Sequence, residues 1–176
     1  MMEQADATAE IAAVMKKAGL VWLSWEGRRP VPAWFAAVEG SYVVLADSAG
    51  SGEQPLPGLA DAGAVEVVVP AKPATSRLAS WVATVRRLKP GSEEWTTAAQ
   101  VLRTERLNAS KLDTQLDRWK TEAELLVLEP TGQITEAAGR YDDSLRAEAP
   151  VETSATTRGK RPITVHRRSR RRPKLS

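Results

Sequence analysis

The stretch Asp47-Ser48-Ala49-Gly50-Ser51-Gly52-Glu53-Gln54 holds the residues whose types and spacing best suit the holding of an anion. Glycine lets backbone N–H groups approach a phosphate closely, so Gly50, Ser51 and Gly52 can cradle one, and the hydroxyls of Ser48 and Ser51 add donors. The local charge opposes this: between Lys17 and Lys72 the only basic residues are Arg28 and Arg29, while Asp47 and Glu53 are acidic. Without a ligand the same residues make an ordinary surface loop. No strand, glycine turn and helix frame the stretch, so it is not a dinucleotide-binding fingerprint.

Other chemistries are poorly supplied. There is no cysteine, and the single histidine, His166, lies among arginines near the end of the sequence. Disulfides, thiolate chemistry and histidine- or cysteine-ligated metal or haem within the domain are therefore not expected. Serine without histidine supports no nucleophilic triad. Glu93-Glu94 reads as a helix start and Asp142-Asp143 as a linker. Arg77, Arg86 and Arg87 stand on or near one long extended run, where they make a solvated face or, from a neighbouring subunit, a phosphate partner. Six tryptophans against one phenylalanine read mainly as core or dimer interface, Trp34 with the further option of stacking on a ring system.

The elements that must position these residues are mostly extended. Residues 8–18 read as a short helix with Ile11, Val14, Met15 and Ala18 on one face and Gly19 past its end. Strands are expected at 21–25, 31–38 and 41–46, joined by turns at Glu26-Gly27-Arg28-Arg29 and Glu39-Gly40, which makes an antiparallel meander. The third strand is apolar on both faces and so buried on both. Pro32 removes a ladder donor, which suits an edge or a bulge. Residues 47–63 are too rich in Gly and Pro for a regular element. Strands follow at 64–69, ended by Pro70, and at 76–88, a length that curves round a barrel more readily than it lies flat. Ser92 caps a helix with Trp95, Ala98, Ala99 and Leu102 on its buried stripe. Ser110 can cap a second, with Leu112, Leu116 and Trp119 on one face. Residues 124–129 form a last apolar strand, and apolar density falls after Pro130.

This order of elements, together with Gly19-Leu20-Val21-Trp22-Leu23-Ser24, Pro30-Val31-Pro32-Ala33-Trp34-Phe35 and Tyr42-Val43-Val44-Leu45-Ala46, resembles the FMN-binding split-barrel family, also called the pyridoxamine 5′-phosphate oxidase-like family. The resemblance covers about residues 10–130. It implies a mainly β split barrel of six or so antiparallel strands with flanking helices, commonly a homodimer with its cofactor in the cleft between subunits. The cofactor implied is FMN or, in an actinobacterial branch, the deazaflavin F420, and the implied activity is that of an oxidoreductase. Ala33 and Trp34, and Ala46, Asp47 and Ser48, would border that cleft. Gly50, Ser51, Gly52 and Gln54 would lie towards the phosphate. The family commonly follows its third strand with a Ser or Thr and a basic residue that meets the phosphate, and here the basic residue is missing. The alternative from the residues is a barrel without cofactor that serves as a dimeric binding or scaffold module.

Three segments are expected: a helix over 1–19 leading into the barrel, the barrel over 20–136, and a disordered basic tail over 137–176. The net charge of +3 conceals a division. Nine of the 25 Lys and Arg residues fall in 158–176, where there is no acid, so residues 1–157 carry 16 basic against 22 acidic side chains, a balance of −6. The barrel is thus no general polyanion surface. The run from Arg167 to Lys174 can contact nucleic acid through counterion release, without base specificity because it has no aromatic residue. No secretory leader or membrane span is read in the sequence, and the expected compartment is the cytoplasm.

Overall fold

The computed structural model describes residues 2–48, 52–71, 77–105 and 114–137. In chain order these form α1 (Met2–Met15), β1 (Val21–Ser24), β2 (Val31–Ala33), β3 (Ala36–Val38), β4 (Ser41–Asp47), β5 (Ala64–Pro70), β6 (Arg77–Arg87), α2 (Glu93–Glu105), α3 (Gln115–Glu122) and β7 (Ala123–Glu136). All of them lie in one unit, Met1–Asp142. The expected tail from 138 onward lies outside the described residues, as do Ser110 and Leu112.

The strands make one antiparallel sheet in the order β2-β1-β5-β6-β7-β4-β3. Its first and last members are consecutive in the chain. The single strand expected over 31–38 is in fact two, broken at Trp34 and Phe35, with β2 paired to β1 and β3 paired to β4. Three residue steps from Ala33 to Ala36 span at most roughly 11 Å. The two sheet edges must therefore approach one another, and the sheet curls into a barrel that this crossover ties shut. Pro32 sits on the edge strand β2, opposite Trp22, where its missing N–H costs no ladder bond.

Two apolar layers follow from β4. Alternate residues point to opposite faces, and both sets are buried. Tyr42, Val44 and Ala46 join the barrel interior with Trp81, Val67, Leu126 and, from α1, Ile11, Val14 and Met15. Val43 and Leu45 join an outer layer with Val127, Trp95, Leu102 and Trp119 beneath α2 and α3. The expected stripe of α2 is the buried one, Trp95, Ala98, Ala99 and Leu102. Ser92 caps this helix, accepting a hydrogen bond from the Trp95 backbone N–H at 3.1 Å. α3 starts at Gln115 with Thr114 at its N-cap position, not at Ser110. Trp22 departs from the core expectation: it faces outward from β1 and is 39% exposed.

β7 runs well beyond the expected 124–129. It passes Pro130 because the ladder with β6 slips there: Ala83 pairs Pro130 and Trp81 pairs Ile134. The surplus residues loop out around Gly132, whose φ of 83° favours glycine. The Thr131 hydroxyl donates to the Val82 carbonyl at 2.8 Å, replacing a ladder bond that the bulge removes.

Candidate functional site

The loop after β4 returns to the strand it leaves. Asp47 N donates to the Gln54 carbonyl at 2.8 Å, and Ala46 and Gln54 form a parallel bridge. The Gln54 side chain spans the barrel's crossover. Its Oε1 accepts from Trp34 N at 2.6 Å, and its Nε2 donates to the carbonyls of Trp34 and Leu45, each at 3.1 Å. The amide thus pairs with Trp34 as a neighbouring strand would. Ala33 and Ala46 are buried in the barrel interior, 0% and 2% exposed. Trp34 is half-buried against the outer layer. Asp47 is half-buried, and Ser48 and Gly52 are exposed. Gly50 and Ser51 lie outside the described residues.

Glu53, which in the sequence stands where an anion would bind, is turned inward. Its side chain is 2% exposed. It accepts a hydrogen bond from the Trp119 indole at 3.0 Å, and Arg118 Nη2 lies 3.9 Å away. The acid is spent on the buried face of α3, where an indole N–H needs an acceptor, and its charge is offset by Arg118.

Ser48 opens onto a small cleft of about 190 Å³ lined also by Arg87, Lys120, Thr121 and Glu124. The Ser48 backbone N–H donates to the Glu122 carbonyl at 3.2 Å. Two cations that are remote in sequence therefore reach the loop: Arg87 from the end of β6 and Lys120 from α3. Arg87 also meets Asp61 and Glu124, each at 3.2 Å, and Lys120 meets Asp117 at 3.4 Å. Lys120 stands 5.8 Å from the centroid of the Trp95 ring. The β4–β7 and β6–β7 ladders bring these basic residues, absent from the local sequence, to one cleft with Ser48. The only signal in the sequence is the group of arginines on the long strand.

Arg86 is differently committed. It clamps Glu94 at 2.6 and 3.0 Å and Glu129 at 2.9 Å. Those hydrogen bonds hold its pKa above the ordinary guanidinium value, and Arg86 in turn holds Glu94 below the usual carboxylate value. The Arg77 side chain is not among those described.

A larger cleft, about 510 Å³, was not foreseen. It lies between the β3–β4 hairpin and the start of α2, with Val38, Val43, Leu88, Ala98 and Val127 as apolar walls and Glu39, Glu93 and Glu94 among its polar residues. Leu88 borders both clefts. Among the described residues no group of three or more His, Cys, Asp or Glu could hold a metal ion.

No family model matches the sequence, and no curated protein matches it. Some solved structures are similar to it. Rv2991, a conserved hypothetical protein from Mycobacterium tuberculosis, is 12% identical with a TM-score of 0.51, over 70% of this chain and 79% of that one. The heme storage protein HutZ from Vibrio cholerae is 15% identical with a TM-score of 0.48, over 73% and 92%. An FAD and heme binding protein from Mycobacterium smegmatis is 17% identical with a TM-score of 0.47, over 88% and 90%. At this low identity the likeness to Rv2991 is one of fold alone. The chain is a split barrel, mainly β, with seven described strands where six or so were expected. None of its described helices is long and apolar enough to cross a membrane.

Proposed function

We propose that this split barrel binds a phosphorylated flavin-type cofactor, FMN or the deazaflavin F420, with the phosphate in the Ser48 cleft. The observation that carries the reading is the convergence of Arg87, Lys120, Ser48 and Thr121 on one small cleft beside the glycine loop. A guanidinium, an ammonium and two hydroxyls are the donor set that a phosphate takes. Residues 1–157 contain no histidine and no cysteine, and a flavin, unlike a haem, needs no axial ligand from the chain. When bound, the flavin or deazaflavin would supply hydride transfer. The chain's own part is to fix the phosphate and, near Trp34, to hold the ring. A cleft of about 190 Å³ has room for a phosphate but is below the roughly 300 Å³ at which pockets that enclose a small molecule begin. The ring would thus lie against the surface, and a second copy of the chain would cover it, which motivates a homodimer.

The test is a spectrum of the purified protein followed by titration with FMN and with F420. Binding at micromolar concentration is expected for one of them. Arg87→Ala with Lys120→Ala should weaken it about a hundredfold, since each charge-assisted contact contributes about 1.5 kcal/mol or more. The ion pairs lost with these side chains are exposed and contribute little to stability. Failure of both cofactors to bind would leave the other reading, a cofactor-free dimeric module. The basic run from Arg167 to Lys174, outside the described residues, would add non-specific nucleic-acid contact.

A further inference from the structure

We infer that the cleft between the β3–β4 hairpin and the start of α2 binds an organic cation: an ammonium or guanidinium group carried on an apolar body. Volume, floor and charge each bear on this. At about 510 Å³ the cleft falls within the range of small-molecule sites, roughly 300–1,000 Å³. Its floor is the outer apolar layer, where Val43, Leu88, Ala98 and Val127 are each under 5% exposed. A flat apolar group can lie there without displacing a polar contact.

The charge decides the class of ligand. None of the lining residues is basic, and three are acidic. Glu94 is neutralised by Arg86 at 2.6 Å. Among the described residues Glu39 and Glu93 have no ion-pair partner. An acid in the first turn of a helix is explained by the helix dipole, and that accounts for Glu93 without any ligand. It does not account for Glu39, which comes from the tip of a hairpin more than 50 residues earlier. Two elements with no shared local reason for an acid thus place carboxylates on one apolar cleft. The hydroxyl-bearing Ser41 and Thr97 line the same cleft. An anion would meet repulsion from the carboxylates of Glu39 and Glu93, whereas a cation would be attracted to both.

The inference is independent of the flavin reading, since it uses the other cleft. The probe is 2-phenylethylammonium, compared with 3-phenylpropanoate, which carries a similar apolar body and the opposite charge. Both are titrated into the full chain and followed by amide chemical shifts and calorimetry. The ammonium should bind with shifts centred on residues 38–43 and 92–98, at least about tenfold tighter than the carboxylate. E39Q with E93Q should weaken it by about tenfold while leaving 3-phenylpropanoate no weaker. Thr97, which is exposed, gives a second variant that spares the core: T97R places a cation in the cleft and should abolish ammonium binding. Equal affinity for the two probes, shifts elsewhere in the chain, or no binding at millimolar probe would each overturn the inference.

Discussion

A primary amide offers one acceptor and two donors at nearly the spacing of a peptide group, and Gln54 uses all three on backbone. Its partners are Trp34 N, Trp34 O and Leu45 O. Trp34 falls in the gap between β2 and β3, outside the ladders of both strands. Gln54 supplies the pairing with a side chain, and its 8% exposure means that water cannot take its place. Gln54→Ala should lower stability by about 2–4 kcal/mol, the cost of two or three buried groups left unpaired, read as a lower urea midpoint at constant slope. Gln54→Glu should rescue little, because a carboxylate would face two carbonyl oxygens now 3.1 Å from the amide nitrogen. A loss under about 0.5 kcal/mol in Gln54→Ala would show that the crossover does not depend on this pairing. Tyr42 adds a dependence on pH. Burial raises its pKa above the ordinary phenol value of 10.0. The fold favours the neutral phenol, so this contribution is complete below pH 10 and is lost as pH rises through the folded-state value.

Elements differ in how far their own sequence determines them. The hairpins are local. Glu26 and Gly27 both take positive φ, 50° and 69°, as do Glu39 and Gly40, 49° and 85°. Positive φ at both central positions is the geometry of a type I′ turn, which prefers Asn before Gly. Glu26→Asn should therefore stabilise the protein by roughly 0.5 kcal/mol and raise Tm by a few degrees. An unchanged or lower Tm would mean that Glu26 has a role beyond the turn. Glu39→Asn should gain stability similarly while weakening cation binding in the cleft it borders. The two-faced burial of β4 and the stripe of α2 were also legible, because alternation and helical spacing are written in neighbouring residues. The break at Trp34-Phe35 was not. A continuous apolar run gives no local sign that it leaves one sheet edge and joins the other; closure is a property of all seven strands. β7 extends beyond the expected 124–129 for a related reason. Pro130 and Gly132 are strand breakers in isolation, and only the partner strand makes them a bulge. The encounter of Ser48 with Arg87 and Lys120 depends on the same non-local ladders, so a loop poor in basic residues concealed a cleft that has two.

At the scale of the whole molecule, charge is divided by position in the chain. Residues 1–157 carry a balance of −6, and residues 158–176 carry nine Lys and Arg without an acid. Such a run neutralises phosphates and releases their counterions, at a slope of about −0.9 in log K per log salt for each contact with duplex DNA. The net-acidic remainder opposes association through long-range repulsion, which salt screens over about 10 Å at 0.1 M. If the basic run engages duplex DNA as expected, the 176-residue chain should bind it weakly and without sequence preference, and should lose binding steeply between low and physiological salt. Removal of 158–176 should abolish that binding while leaving cofactor affinity and Tm unchanged, because every residue of both clefts precedes position 130. Retention of salt-sensitive DNA binding by the truncated chain would place the contact on the acidic body instead. The cations there available to a phosphate would then include Arg87 and Lys120, and competition between DNA and FMN would reveal it.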